Sequence, residues 1–245
     1  MLKKLYDKSK IWFAVTWIIT YCVLMSIGDS LSSMLSVEKS VTLVVGLTLS
    51  AVLLCFLKKN RLFESYGFCR PKMSARSMLY YIPLLVMLTV NLWYGAVLNY
   101  GALETVLYIL AMLCVGFLEE VIFRGLLFEA IREGNVKAAV VVSSVTFGVG
   151  HIVNLFNGSG ADLLFNLLQL VYATAAGFMF VMIYYRTKSI VGCIAAHGIF
   201  NALSVFSNEA AATRELRVLT CIALTVITGL YAAYLAWIVK GGKNS

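Results

Sequence analysis

Long apolar stretches, separated by short polar segments, run through the whole chain. Each is close to the roughly 20 residues that an α-helix needs to cross a bilayer. The eight stretches lie at about 11–27, 41–57, 78–98, 104–123, 138–153, 163–185, 189–206 and 218–239. Several are slightly short for a full span, so tilting is expected. The pattern predicts an all-α, polytopic membrane helix bundle with about eight transmembrane helices.

Composition supports a single membrane domain. Of the 245 residues, 61% are hydrophobic and 13% are charged. A soluble domain is about half apolar and about a quarter charged. Eight spans of about 20 residues use roughly 160 positions, which leaves short loops and two tails. We therefore expect one integral membrane domain over residues 1–245.

The basic residues indicate how the chain is oriented. The net charge is +8, but the lysines and arginines are spread between the apolar stretches, which argues against a nucleic-acid partner. With the N-terminus in the cytoplasm, all but three of the 20 fall on the cytoplasmic side; the exceptions are Lys39, Arg214 and Arg217. This asymmetry follows the positive-inside rule. Both termini are predicted to be cytoplasmic, in a multi-pass protein of the cell membrane, and the short basic N-terminus favours a bacterium.

Three charged residues lie at the end of the fourth apolar stretch, in "GFLEEVIFRG" (116–125). Ionisable residues at membrane depth are rare, and they usually face a bundle interior or a watery cavity. Glu120 and Arg124 are four residues apart, so they share a helix face and can form an ion pair. Glu119 is rotated by about 100° and lacks a local partner. It needs one from another helix, and a histidine is the obvious candidate.

The chain has two histidines, and both lie in or at the end of apolar stretches. His151 ends "FGVGH" (147–151), where Gly148 and Gly150 would let another backbone come close. His197 and Asn201, in "HGIFN" (197–201), share a helix face, and both can donate hydrogen bonds to an oxyanion. A structural role stays open, because an ion-pair network and an interhelical polar clasp would use the same residues.

Three motifs in order resemble a known family. "EEVIFR" (119–124) matches E-E-x-x-x-R, "FGVGH" matches F-x-x-x-H, and "HGIFN" matches H-x-x-x-N/D. The set is similar to the CAAX-protease and bacteriocin-processing family, whose members are intramembrane glutamic proteases related to the Ras-converting enzyme and were once called abortive-infection proteins. The motif core covers residues 116–202.

The resemblance implies a fold, a site and an activity. Helices would enclose a conical catalytic cavity open to the membrane. Glu119 would be the general base that activates a water, assisted by His151, while His197 and Asn201 would stabilise the oxyanion and Glu120 and Arg124 would brace the site. No cofactor is implied. The substrate would be a membrane-associated peptide or protein, such as a pheromone precursor, leader peptide or bacteriocin, with a second membrane protein as a further candidate partner.

Three alternatives remain open on the sequence alone. Two histidines and a glutamate also serve as zinc ligands in metalloproteases, although the chain has no H-E-x-x-H. Cys193 lies four residues before His197, which would suit a cysteine protease. The third alternative is a non-enzymatic membrane protein, either an immunity or regulatory protein that acts by binding or a transporter, although the sequence lacks visible inverted repeats.

Overall fold

The computed structural model describes residues 2–153 and 163–241, and these residues form helices and turns without a β-strand. The α-helices are α1 (Leu2–Lys8), α2 (Lys10–Met34), α3 (Ser40–Lys59), α4 (Ile82–Thr89), α5 (Ala102–Glu120), α6 (Glu129–Arg132), α7 (Val136–Gly150), α8 (Leu163–Thr187), α9 (Val191–Leu203) and α10 (Arg214–Gly241). A π-helix (Val121–Phe128) joins α5 to α6. Short 3-10 helices lie at Glu64–Tyr66, Arg76–Tyr81, Val90–Leu92, Ser204–Phe206 and Glu209–Ala211.

Among the residues described, five helices are long and apolar enough to cross a membrane. They are Lys10–Met34, Ser40–Lys59, Ala102–Arg132, Leu163–Thr187 and Arg214–Ile238. Three shorter apolar helices, Arg76–Leu92, Val136–Gly150 and Val191–Phe206, coincide with the remaining predicted stretches. The all-α, multi-pass architecture is confirmed. The count of eight spans and the cytoplasmic position of both termini stay predictions.

The third predicted stretch, 78–98, is not one continuous helix. Residues 79–81 have φ angles of 50, 51 and 58°, in the left-handed region. Helix α4 begins only at Ile82, with Pro83 in its first turn, where a missing backbone N–H does no harm. The Tyr231 hydroxyl, on α10, donates to the carbonyl of Met78 at 2.6 Å and so stabilises the break. A neighbouring helix can satisfy backbone groups that a broken helix leaves unpaired.

Glycines allow the central helices to approach closely. A Cβ atom on Gly116 of α5 would lie 2.5 Å from the Cα atom of Gly198 on α9. On α7, a Cβ atom at Gly148 would lie 1.9 Å from Oγ1 of Thr174 on α8. Close backbone approach at small residues is typical of membrane helix pairs. The expected approach of another helix at Gly148 is confirmed, and the Gly116–Gly198 crossing brings the two motif helices α5 and α9 into contact.

Candidate active site

The charged segment lies where α5 changes into the π-helix. Glu119 and Glu120 are the last two residues of α5, and Arg124 lies within Val121–Phe128, all of whose residues are buried. π-Helical turns are rare and are frequently found at functional sites. Helix α2 packs along this segment. The segment therefore presents its charged side chains to the protein interior rather than to lipid.

Glu120 and Arg124 form the predicted ion pair. Arg124 Nη1 lies 3.1 Å from Glu120 Oε1, and both side chains are 0% exposed. The guanidinium also lies over the ring of Phe147, 4.2 Å from its centroid, and makes a long hydrogen bond of 3.5 Å to the carbonyl of Gly177. A buried charge without its partner is strongly destabilising. The pair is thus a fully buried part of the bundle.

His197 lies between the two glutamates. Its Nδ1 is 2.8 Å from Glu120 Oε1, and its Nε2 is 3.3 Å from Glu119 Oε2. The ring of Phe180 stacks on the imidazole at a centroid distance of 5.4 Å. A histidine from another helix was expected beside Glu119, and His197 occupies that position. Because an ionised carboxylate only accepts hydrogen bonds, a ring protonated on both nitrogens would donate to both glutamates.

Tyr21, which sequence reasoning missed, holds the other oxygen of Glu119. Its hydroxyl donates to Glu119 Oε1 at 2.8 Å from helix α2. Tyr21 lies outside the three motifs, and a tyrosine in an apolar stretch is a common core residue, so no sequence signal distinguishes it. The Glu119 carboxylate is consequently held at both oxygens by side chains from two other helices.

His151 lies apart from the two glutamates. Its Nδ1 is 3.0 Å from the carbonyl oxygen of Phe147 in the preceding turn. Because a carbonyl oxygen only accepts, Nδ1 carries the proton, and Nε2 of the neutral ring is left as an acceptor. The direct histidine partner of Glu119 is His197 rather than His151. The roles that the resemblance implies for the two histidines stay predictions.

A cavity of about 330 Å³ brings the remaining motif residues together. Glu119, His151 and Asn201 all line it, together with Tyr21 and Gln169. The Glu119 side chain is 13% exposed, in contrast to the fully buried Glu120. Binding cavities of this size typically have an apolar lining with a few converging polar groups. Glu119 is therefore the carboxylate of the pair that a water or a substrate can reach.

The zinc-site and cysteine-protease alternatives depend on where His151 and Cys193 lie. Within residues 2–153 and 163–241, no three His, Cys, Asp or Glu side chains lie close enough together to hold a metal ion. A zinc site built from Glu119, His151 and His197 would need His151 to move towards the other two. Cys193 is completely buried, and its Sγ donates to the carbonyl of Phe180 at 3.6 Å. It packs in the core, one helical turn before His197.

Part of the chain is similar to a known protein family. Residues 101–203 match the family model described as type II CAAX prenyl endopeptidase Rce1-like. The resemblance predicted from the three motifs is thereby confirmed for this segment. A relative from Bacillus subtilis (strain 168), named "Putative membrane peptidase YdiL", is 40% identical over 89 residues, which is 36% of this chain. That match covers 31% of the relative's length, so the chain spans about a third of the curated relative that it matches.

Glu119, Glu120, Arg124, His151, His197 and Asn201 all fall inside the Rce1-like segment. Tyr21 lies outside it. The site as the structure builds it is therefore larger than the matched segment, because helix α2 contributes a direct hydrogen bond to Glu119.

Proposed function

We propose that the protein is an intramembrane, metal-independent glutamic endopeptidase that hydrolyses a peptide bond of a membrane-associated peptide or protein. One observation carries the proposal. Glu119, inside the Rce1-like segment, lines a cavity together with His151 and Asn201, while Tyr21 and His197 hold its two oxygens. Peptide hydrolysis needs a base for a nucleophilic water and donors for the developing oxyanion.

The proposed reaction uses a water in the cavity between Glu119 and His151. Glu119 takes one proton as the water oxygen bonds to the substrate carbonyl carbon, and the acceptor Nε2 of His151 orients the other O–H. The Asn201 side-chain amide donates to the oxyanion that forms. The carbon–nitrogen bond then breaks, and Glu119 returns its proton to the leaving amine. Base catalysis of this kind contributes about 10²–10⁴-fold in rate.

In this scheme Glu120 and Arg124 do not touch the substrate. Glu120 fixes His197 by its 2.8 Å contact to Nδ1, and Arg124 compensates the charge of Glu120. With Nδ1 fixed, Nε2 of His197 points at Glu119 and holds its carboxylate towards the cavity. The ion pair and His197 are therefore positioning residues, and His197 can act as an oxyanion donor only by releasing Glu119.

The substrate is proposed to reach the site from the membrane. The protein has several apolar helices long enough to cross a bilayer, and the site is built between them. By analogy with the family, a pheromone precursor, leader peptide or bacteriocin-type peptide is the proposed substrate, processed in a bacterial cell membrane or cleaved in self-immunity. No cofactor and no nucleic acid take part.

The proposal is tested by peptide cleavage with purified protein in lipid vesicles. Membrane-anchored peptides of varied sequence are incubated with the wild type, Glu119→Gln and His151→Ala, each with and without a metal chelator. We expect cleavage that resists the chelator and is lost in both variants, while Cys193→Ala cleaves like the wild type. Chelator-sensitive cleavage that zinc restores would establish a metalloprotease. If the Glu119→Gln protein keeps full biological activity, the protein would instead act by binding another molecule, without proteolysis.

A further inference from the structure

A second cavity adjoins the first at His151 and Asn201. It has a volume of about 320 Å³ and shares four lining residues with the cavity of Glu119. The shared residues are Phe147, His151, Gln169 and Asn201. These residues form the boundary between two spaces of nearly equal size. The proposed mechanism uses only the first of them.

A third cavity of about 250 Å³ shares six lining residues with the second, among them Asn91, Tyr172 and Glu209, and Gln169 lines all three cavities. Its lining includes Arg217, whose guanidinium pairs with Glu209 at 3.4 Å. Three adjoining spaces are thus lined by residues from several helices, with α2 beside Glu119 and α10 beside Arg217. An exopeptidase, which removes residues from a chain end, needs binding space mainly on one side of the cleaved bond. Adjoining spaces beside the reacting groups suit an endopeptidase instead.

The lining of the second cavity suits a peptide chain. Helix α8 contributes the small residues Ala173 and Ala176, which leave space, and Phe180 adds an apolar surface. Asn91 and Thr228 add an amide and a hydroxyl from other helices. At membrane depth, every backbone N–H and C=O of a bound peptide must find a hydrogen-bond partner. Asn91 and Thr228 already donate to the carbonyls of Phe200 and Leu224, so they offer acceptor oxygens to the N–H groups of a peptide. The cavity wall also carries the polar side chains of His197 and Glu209.

We propose that the second cavity is a substrate subsite, and that the bound peptide passes between His151 and Asn201 with residues on both sides of the cleaved bond. This inference rests on the proposed peptidase function. The reacting carbonyl must lie beside Glu119 and Asn201, and Asn201 lines both spaces. A chain that has one flank in the first cavity therefore extends its other flank into the second, against Ala173 and Ala176. The substrate is a peptide that is cleaved at an internal bond, and the length of chain on both sides of that bond determines kcat/KM.

The experiment fills the second cavity without touching the first. Ala176 lines only the second cavity of the two, so Ala176→Val and Ala176→Phe reduce its volume in two steps. Val171→Phe is the matched control, because Val171 lies on the same helix with an exposed side chain that faces outwards. Each protein is assayed in vesicles against quenched, lipid-anchored peptides in which either flank of the cleaved bond is shortened one residue at a time.

In the wild type and in Val171→Phe, we expect kcat/KM to rise at least about tenfold as the flank in the second cavity is lengthened, since contacts away from the reacting bond contribute to transition-state binding. Ala176→Val should reduce this rise and Ala176→Phe should abolish it, while cleavage of the shortest peptide stays within about twofold of wild type. Retained cleavage of the shortest peptide also shows that the variants are folded.

Two results would overturn the inference, and they are distinguishable. If Ala176→Phe keeps the full dependence on flank length, the peptidase activity stands and the second cavity is not the subsite. If the wild type cleaves no peptide of either series, the proposed function itself fails and the subsite fails with it.

Discussion

The neighbouring residues Glu119 and Glu120 have different surroundings. On the Glu120 side, Glu120 and Arg124 are completely buried and paired with each other, and Glu120 also contacts His197 among aromatic rings. On the Glu119 side, Glu119, His151 and Asn201 line a cavity. The Glu120 side fixes positions, and the Glu119 side offers groups to a reactant.

This difference gives two kinds of expected damage. A change on the Glu120 side leaves a buried charge without its partner, so it should lower stability first. A change on the cavity side removes a reacting group from a partly open space, so it should lower the rate and leave the fold intact. Measurements of stability and of rate on single variants separate these two effects.

Arg124→Leu is expected to destabilise the protein most. It leaves the fully buried Glu120 without its cation, which costs about 3–5 kcal/mol of the free energy of unfolding. Arg132→Leu is the matched control, since Arg132 also pairs with a glutamate, Glu129, but its side chain is 34% exposed. The control should lose less than about 1 kcal/mol. Denaturant unfolding in mixed micelles measures the free energy of unfolding of both variants. Equal losses would show that burial does not make the Glu120–Arg124 pair more important for stability than the exposed pair.

Gly116→Ala is expected to separate the two motif helices. The new Cβ atom would lie 2.5 Å from the Gly198 backbone, so α5 and α9 must move apart and shift Glu119 away from His197. Misplacement of reacting groups by about 1 Å can cost about 10²-fold in rate. Gly192→Ala, on α9 where no atom lies within 4 Å of the new methyl group, is the control and should keep its rate. A Gly116→Ala protein with normal kcat/KM would contradict the importance of this crossing.

Tyr21→Phe tests the hydrogen bond that holds Glu119 at the cavity. Loss of the hydroxyl frees Glu119 Oε1 and lets the carboxylate rotate, so kcat should fall about tenfold while KM changes less than about twofold. Tyr66→Phe removes another partly buried hydroxyl, one that donates to Tyr6 at 2.8 Å away from the site, and should leave both constants unchanged. Steady-state kinetics on one peptide decides the matter. A rise in KM alone would place Tyr21 in substrate binding instead.

Much of the fold was predictable because apolar length is a direct signal of a membrane helix. Seven of the eight predicted stretches coincide with apolar helices in the described residues, and the third, 78–98, overlaps a shorter and broken one. The break at 79–81 was harder to predict, because it depends on a hydrogen bond from Tyr231 on a helix far along the chain. Pro83 was the one local sign, since a proline in the first turn marks a helix start.

The site was predictable in its residues and only partly in its contacts. Spacing within one helix predicts the Glu120–Arg124 pair, because residues four apart share a face. Which histidine meets Glu119 depends on how α5 crosses α9, and that crossing is set by Gly116 and Gly198 on separate helices. Tyr21 could not be recognised at all, because its partner is 98 positions away.

The most direct test compares Glu119→Gln with Glu120→Gln in one preparation, measuring peptide cleavage and the free energy of unfolding for each. Both changes replace a carboxylate by an amide of the same shape, at adjacent positions. Glu119→Gln should lower kcat by about 10²–10⁴-fold and change stability by less than about 1 kcal/mol. Glu120→Gln should chiefly lower stability, because it leaves Arg124 buried without its anion. Wild-type cleavage by Glu119→Gln would contradict the assignment of Glu119 as the catalytic base.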